Sequence, residues 1–280
     1  MLYRGRVRCP AHGFDRRAFL GMLGLGLAVA ACSSPEPGKH DGPVAQPASS
    51  APPPSPTGRT DPEPPPPPLQ GQQKLSRGPA GTHHIALTVD DGYCDECVAG
   101  YVDFADRTGT HLTFSPNGTY AHAWAPHADK LRPLVERGQV QIMNHTFTHA
   151  DLRKLNDHQI EAELDRNEQW VVSTFGTSTR PYYRPPFGFH NPRIEAAAAQ
   201  SGYLYTVLWN GSYSDSELIT PDFLMEQARK YLTPGTIMLG HANHPTVLGL
   251  FDQILALVKD RSLTPVTLDE MFGTHRPTTQ

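Results

Sequence analysis

Fifteen of the chain's 28 prolines fall between Ser33 and Ala80, a stretch with no Phe, Tyr or Trp. Such a segment has too little apolar side chain to offset the entropy of ordering, so residues 32–80 read as an extended, solvated linker. Folding is then confined to residues 81–280, enough for a single domain. In that region 15 Lys and Arg face 23 Asp and Glu, and no basic cluster is interleaved with aromatics, which argues against a nucleic-acid partner. Twelve of the 14 histidines also lie there, a reason to look for a metal or proton-transfer site.

Ahead of the linker, Arg4, Arg6, Arg8, Arg16 and Arg17 precede an apolar run from Ala18 to Ala31 that ends in Val29-Ala30-Ala31-Cys32. As a helix that run would reach about 21 Å, short of the ~30 Å hydrocarbon core, so residues 1–31 are expected to be an export signal rather than a membrane span. The small residues before Cys32 resemble a lipobox, which implies a lipidated Cys32 and a chain anchored at the outer face of the membrane. Arg16-Arg17-Ala18-Phe19-Leu20 resembles the twin-arginine export motif, with Asp15 where Ser or Thr is usual.

Removal of Cys9 and lipidation of Cys32 would leave Cys94 and Cys97. In an exported protein this spacing suits a local disulfide; a pair of zinc ligands and a thiol-redox site are the alternatives. A strand-like run before the pair and a helical pattern after it favour the redox reading. The neighbouring Asp90 and Asp91 count against it, because two carboxylates disfavour a thiolate.

Apolar runs of strand length occur at 85–89, 111–115, 140–143, 203–209 and 236–240, with weaker ones at 181–184 and 264–267. Helical patterns fall near 97–107, 128–137, 156–175, 191–201, 221–231 and 247–259, the clearest running from a cap at Asn156 to a stop at Gly176. Alternation of this kind implies a parallel sheet with helical crossovers, and seven units suggest a small β/α barrel, closed or nearly so. An open doubly wound sheet is the alternative. In either fold, function collects at the carboxyl ends of the strands.

Those ends carry the polar residues. The first strand runs into Asp90-Asp91-Gly92. The third runs into His145 and His149, whose i, i+4 spacing would place both imidazoles on one face of a helical turn, able to share a metal. Arg184-Pro185-Pro186-Phe187-Gly188 is a stiff turn after the fourth; Trp209-Asn210 and Asp215 follow the fifth, and His241 ends the sixth. Each has an ordinary packing explanation, but all five in phase with strand ends do not.

This set resembles the polysaccharide deacetylases of carbohydrate esterase family four. The matching motifs are Thr88-Val89-Asp90-Asp91-Gly92, His145 to His149, Arg184 to Gly188, Asp215-Ser216 and Leu239-Gly240-His241, with Leu112 to Gly118 similar to the family's second strand. The resemblance implies a distorted (β/α)7 barrel and a divalent metal, most commonly Zn2+, held by Asp91, His145 and His149. It implies Asp90 as general base, oriented by Arg184, and His241 as general acid, paired with Asp215. A backbone N–H near Phe187 would serve the oxyanion, with Leu239 and Trp209 at the substrate. The implied reaction removes acetyl groups from N-acetylated sugars of an envelope glycan, peptidoglycan or a chitin-like polymer.

Three departures stand out. Ser216 replaces the family's tryptophan, Tyr93 stands where proline is common, and the Cys94/Cys97 pair is unusual there. The aromatic and histidine-rich loop of Tyr120, His122, Trp124 and His127 suits either a glycan groove or the barrel rim. His244 is a spare candidate acid. Two other functions stay open at this point: a non-catalytic glycan-binding lipoprotein on the same fold, for which Ser216 is the hint, and the Cys94/Cys97 thiol oxidoreductase.

Overall fold

The computed structural model of the protein describes residues 69–274. The export signal, the twin-arginine motif, Cys32 and most of the proline-rich linker lie outside the described residues. In chain order the described residues form β1 (Gln73–Leu75), β2 (His84–Asp91), α1 (Asp95–Thr108), β3 (Leu112–Pro116), α2 (Ala121–Trp124), α3 (Ala128–Glu136), β4 (Val140–Ile142) and α4 (Asp157–Phe175). They continue with β5 (Tyr182–Tyr183), α5 (Pro192–Gln200), β6 (Tyr205–Val207), β7 (Gly211–Ser212), α6 (Pro221–Tyr231), β8 (Ile237–His241), α7 (Phe251–Asp260), β9 (Thr264–Pro265) and α8 (Leu268–Phe272). Among them no helix is long and apolar enough to cross a membrane.

Every strand-to-strand ladder is parallel. One sheet runs β4-β3-β2-β8-β7, with β9 beside the start of β2, and a second runs β1-β6-β5. A bridge between Asn144 and Tyr183 joins the end of β4 to β5. The result is an α/β fold of the distorted (β/α)7-barrel type in which the sheet does not close.

β2 explains the architecture. Its residues are almost all buried, as a central parallel strand covered on both faces requires. Ile85, Leu87 and Val89 pack outward into a cluster with Val98, Tyr101 and Val102 of α1, Leu131 of α3 and Ile254 of α7. Ala86, alternating to the other face, meets Tyr182, Tyr205, Val207 and Ile237 in the interior, which Leu268 and Met271 of α8 help to fill. Truncating Leu87 or Ile85 to alanine is expected to cost roughly 2–5 kcal/mol.

α4 starts where the sequence places it: Asn156 and Gln159 form a capping box, and Gly176 ends the helix in the left-handed conformation. Ile160, Leu164, Val171 and Phe175 form its buried stripe.

Four elements have no counterpart in the sequence reading. β1 lies inside the stretch read as linker, which corrects that boundary: Leu75 is buried and Gln73 to Leu75 pair with Tyr205 to Val207, so the fold starts before residue 81. β7 is two residues long, too short for any periodicity. The helical turns between Gly118 and His127 are broken into single turns that share no stripe. α8 rests on a capping box between Thr267 and Glu270 more than on an apolar pattern.

Candidate active site

Adjacent strand residues point to opposite faces, yet Asp90 and Asp91 both line one cleft at the carboxyl end of the sheet. Asp91 achieves this by leaving the strand conformation, with φ at 66°. Its carbonyl accepts the indole N–H of Trp124 at 2.9 Å. The next residue must be glycine: φ is 94° at Gly92, and a Cβ there would come within 2.1 Å of the Trp124 Nε1.

His145 and His149 reach the same cleft, but not from a helical turn. They sit on an irregular loop after β4 in which Thr146 and His149 have positive φ, so the shared-face expectation gives way to a loop held by side-chain amides. Asn117 Nδ2 donates to the carbonyls of His145 (2.5 Å) and Thr146 (2.9 Å). Asn144 Oδ1 accepts the Thr146 N–H, and Glu163 accepts the Thr148 N–H, each at 2.8 Å. Asn167 Nδ2 donates to Asn144 Oδ1, and Asn167 Oδ1 accepts the Gly118 N–H. A loop this polar can be buried only with its backbone groups paired.

The three side chains converge on one point. Asp91 Oδ1 is 3.3 Å from His145 Nε2 and 3.4 Å from His149 Nε2. His145 Nδ1 lies 2.8 Å from the carbonyl of Arg184, which can only accept, so Nδ1 carries a proton and Nε2 is the nitrogen that faces the cleft, with a lone pair for a metal when the ring is neutral. Asp91 Oδ1 is buried and has no hydrogen-bond partner among the described residues. Acceptors this close repel one another unless a proton or a cation lies between them. Two donors bound about 2.0–2.1 Å from a tetrahedral zinc ion lie roughly 3.3–3.4 Å apart, so the donor set fits a divalent metal. Asp91, His145 and His149 together are a possible metal site.

The three groups also shift one another's titration. Burial would push Asp91 up, but contact with His145 and the charges of His149 and His241 hold it far below the usual carboxylate range. His145 is pushed down by burial and, more strongly in sum, up by Asp90, Asp91 and the Arg184 carbonyl. Burial and the neighbouring His145 charge bring His149 down to about 4, which keeps it neutral and able to ligate.

Asp90 has a different neighbour. Its Oδ1 accepts from Arg184 Nη1 at 2.7 Å, and its Oδ2 lies 3.6 Å from His145 Nε2. Across the cleft, His241 Nδ1 is 2.9 Å from Asp215 Oδ1, and the His241 N–H donates to Asp215 Oδ2 at 3.1 Å. The carboxylate fixes the ring so that Nε2 is the nitrogen left for a substrate. Burial lowers the His241 pKa, but the Asp215 hydrogen bond and charge, with Asp90 and Asp91, raise it above its ordinary value.

The cleft has a volume of about 610 Å³. Phe187, 56% exposed, sets its ring edge-to-face on His149 at 4.6 Å. Trp209 and Leu239 add apolar lining, while Ser212, Ser214, Ser216 and Glu217 add polar lining, Ser212 lying beside Leu239 on the neighbouring strand. The aromatic loop divides: Trp124 is buried beneath Asp91, Tyr120 stacks edge-on with Tyr93 at the rim, and His122 faces Asp95. His244 meets the Tyr93 hydroxyl at 3.0 Å and does not line the cleft, so it is no rival to His241. Cys94 and Cys97 are joined by a disulfide at the start of α1, and Cys94 caps that helix.

Sequence reasoning missed the asparagines. Asn117, Asn144, Asn167 and Asn243 are all buried at the site. Asparagine is common on surfaces, and only contacts distant in sequence reveal these four.

The family model described as "Polysaccharide deacetylase" matches residues 77–206, which include both aspartates, both histidines and the Arg184 turn. A chitin deacetylase of Arthroderma benhamiae is 30% identical over 194 residues, 68% of this chain and 52% of that protein. The chain belongs to the polysaccharide deacetylase family. Peptidoglycan-N-acetylmuramic acid deacetylase PdaA of Bacillus subtilis is a further polysaccharide deacetylase relative, 25% identical over 67% of this chain and 71% of its own. Its solved structure, a family 4 carbohydrate esterase, superposes with a TM-score of 0.62 over 72% of this chain and 86% of that one. A family 4 pseudoenzyme from Bacillus anthracis shares the fold at a TM-score of 0.64 and 17% identity, covering 72% of this chain and 70% of that one. The chain spans about half the length of the chitin deacetylase it matches.

Proposed function

We propose that this polysaccharide deacetylase is a metal-dependent hydrolase that removes acetyl groups from N-acetylated sugars of a cell-envelope glycan. The observation that carries the reading is the buried, unpartnered Asp91 Oδ1, 3.3 and 3.4 Å from two histidine Nε2 atoms, between Asp90 and His241. A divalent metal held by Asp91, His145 and His149, most simply Zn2+, would supply a Lewis acid for the amide carbonyl and lower the pKa of the attacking water.

The chain's own groups would do the rest. Asp90, kept in place by Arg184, accepts the proton of the attacking water. Pro185 and Pro186 have no N–H, and those of Gly188 and Phe189 donate to the Pro185 and Pro186 carbonyls, so Phe187 supplies the N–H assigned to the oxyanion. His241, held protonated by Asp215, gives its proton to the departing sugar amine. Trp209 and Leu239, apolar residues lining the cleft, support the sugar and its acetyl group.

Relatives named for chitin and peptidoglycan support a glycan substrate outside the cytoplasm. The sequence signals add export and a lipid anchor at Cys32, with the proline-rich stretch between Cys32 and β1 as a tether; radiolabelled palmitate in the wild type but not in Cys32→Ala would test the anchor.

The test of function is acetate release from N-acetylglucosamine oligomers and from peptidoglycan, with and without a chelator, followed by zinc add-back. Release abolished by the chelator and restored by zinc is expected. No release by protein holding one metal per chain would overturn the catalytic reading and leave the binding role that Ser216 hints at.

A further inference from the structure

Asn243 lies two residues beyond His241 and belongs to none of the motifs above. It is buried, it lines the cleft, and its amide bridges two groups at the end of β2. Its Nδ2 is 2.7 Å from Asp91 Oδ2, and its Oδ1 is 3.2 Å from the Gly92 nitrogen. This pairing fixes the orientation of the amide, because a carboxylate oxygen only accepts and a backbone N–H only donates. The two Asp91 oxygens are thereby made unequal: Oδ2 is occupied by Asn243, while Oδ1 faces His145 and His149 with no hydrogen-bond partner.

We infer that Asn243 is a positioning residue that restricts Asp91 to one ligating oxygen. The inference rests on the reading of Asp91, His145 and His149 as a metal site.

The consequence is chemical. A free carboxylate can bind through both oxygens and would then fill a position that a hydrolytic site needs for water or substrate. Asn243 prevents this by occupying Oδ2, and it also ties down the Asp91-Gly92 turn, where both residues have positive φ. Trp124 holds the Asp91 carbonyl, so the backbone of this turn is fixed as well as the carboxylate. The amide is suited to the position because it donates to one neighbour and accepts from the other.

The test uses cobalt(II) as a probe of coordination, since four-coordinate cobalt absorbs several-fold more strongly in the visible than five- or six-coordinate cobalt. Wild-type protein, Asn243→Ala and Asn243→Asp are loaded with one cobalt equivalent, and zinc affinity is measured by chelator competition. Asn243→Ala is expected to lose most of the visible absorption and to bind zinc about 10- to 100-fold more weakly, the usual cost of losing a partner of a metal ligand. Asn243→Asp keeps the shape and the acceptor for the Gly92 N–H but cannot donate to Asp91, so it should share the spectral change even if the alanine variant fails to fold. Variants with the wild-type spectrum would overturn the inference alone. Failure of the wild type to take up cobalt, or equal uptake by Asp91→Ala, would overturn the metal-site reading and this inference with it.

Discussion

Arg184 Nη1 lies 2.7 Å from Asp90 Oδ1, and both side chains are buried. The same guanidinium donates from Nε to the carbonyl of Val207 and from Nη2 to that of Leu208, so it ties the ends of β2, β5 and β6 together. Removing one partner of such a pair leaves the other as an uncompensated charge. Arg184→Met should therefore destabilise the domain by about 3–5 kcal/mol. Arg184→Met/Asp90→Asn should recover part of that loss, because the stranded charge goes with the carboxylate. Urea unfolding of the two variants measures both quantities, and a single-variant loss under about 1 kcal/mol would show that the pair is not what holds these strand ends.

The acid side of the site has a pH signature. His241 must be protonated to act, and Asp215 raises its pKa, so activity should persist above the ordinary histidine range and fall as pH rises through the raised value. Asp215→Asn removes the charge while leaving burial, the largest influence and a lowering one, in place. The descending limb of the kcat profile should then move to lower pH. A limb that stays put in Asp215→Asn would assign the acid to another group.

Much of this site was legible because its residues are placed by strand ends, and strand ends can be read from apolar runs. Asp90, Asp91, Arg184 and His241 each lie at or just after such a run; the two aspartates and His241 line one cleft, and Arg184 is buried against Asp90. The helical turn expected for His145 and His149 was not there, because that expectation came from spacing alone. Thr146 and His149 adopt positive φ, and the loop is held in that form by the adjacent Asn144 together with Asn117, Asn167 and Glu163, which come from other parts of the chain. β1 was hidden for a related reason. Its apolar content is a single Leu75, and what makes it a strand is its partner β6, about 130 residues away.

Metal binding should be visible in stability without any substrate. A ligand that binds only the folded state stabilises it by about 2.7 kcal/mol at 100 times its dissociation constant. Zinc should raise the melting temperature of the wild type and leave that of Asp91→Ala or His149→Ala nearly unchanged. Equal shifts in all three proteins would locate the zinc away from Asp91, His145 and His149.

Ser216 offers a test of substrate fit. It lines the cleft together with Ser212, Ser214, Glu217, Phe187, Trp209 and Leu239, in the position where the family resemblance expects tryptophan. An acetyl methyl beside Ser216 would meet a hydroxyl rather than a ring, and so would gain little from leaving solvent. A tryptophan there would bury apolar surface against the acetyl group and the apolar lining of the cleft. Each 40 Å² of apolar surface newly removed from water contributes about 1 kcal/mol, so Ser216→Trp should lower KM for N-acetylglucosamine oligomers by roughly 5- to 10-fold, with kcat changed much less. If KM rises instead, the cleft accepts a bulkier group on this side, and Ser216 is the residue that makes room for it.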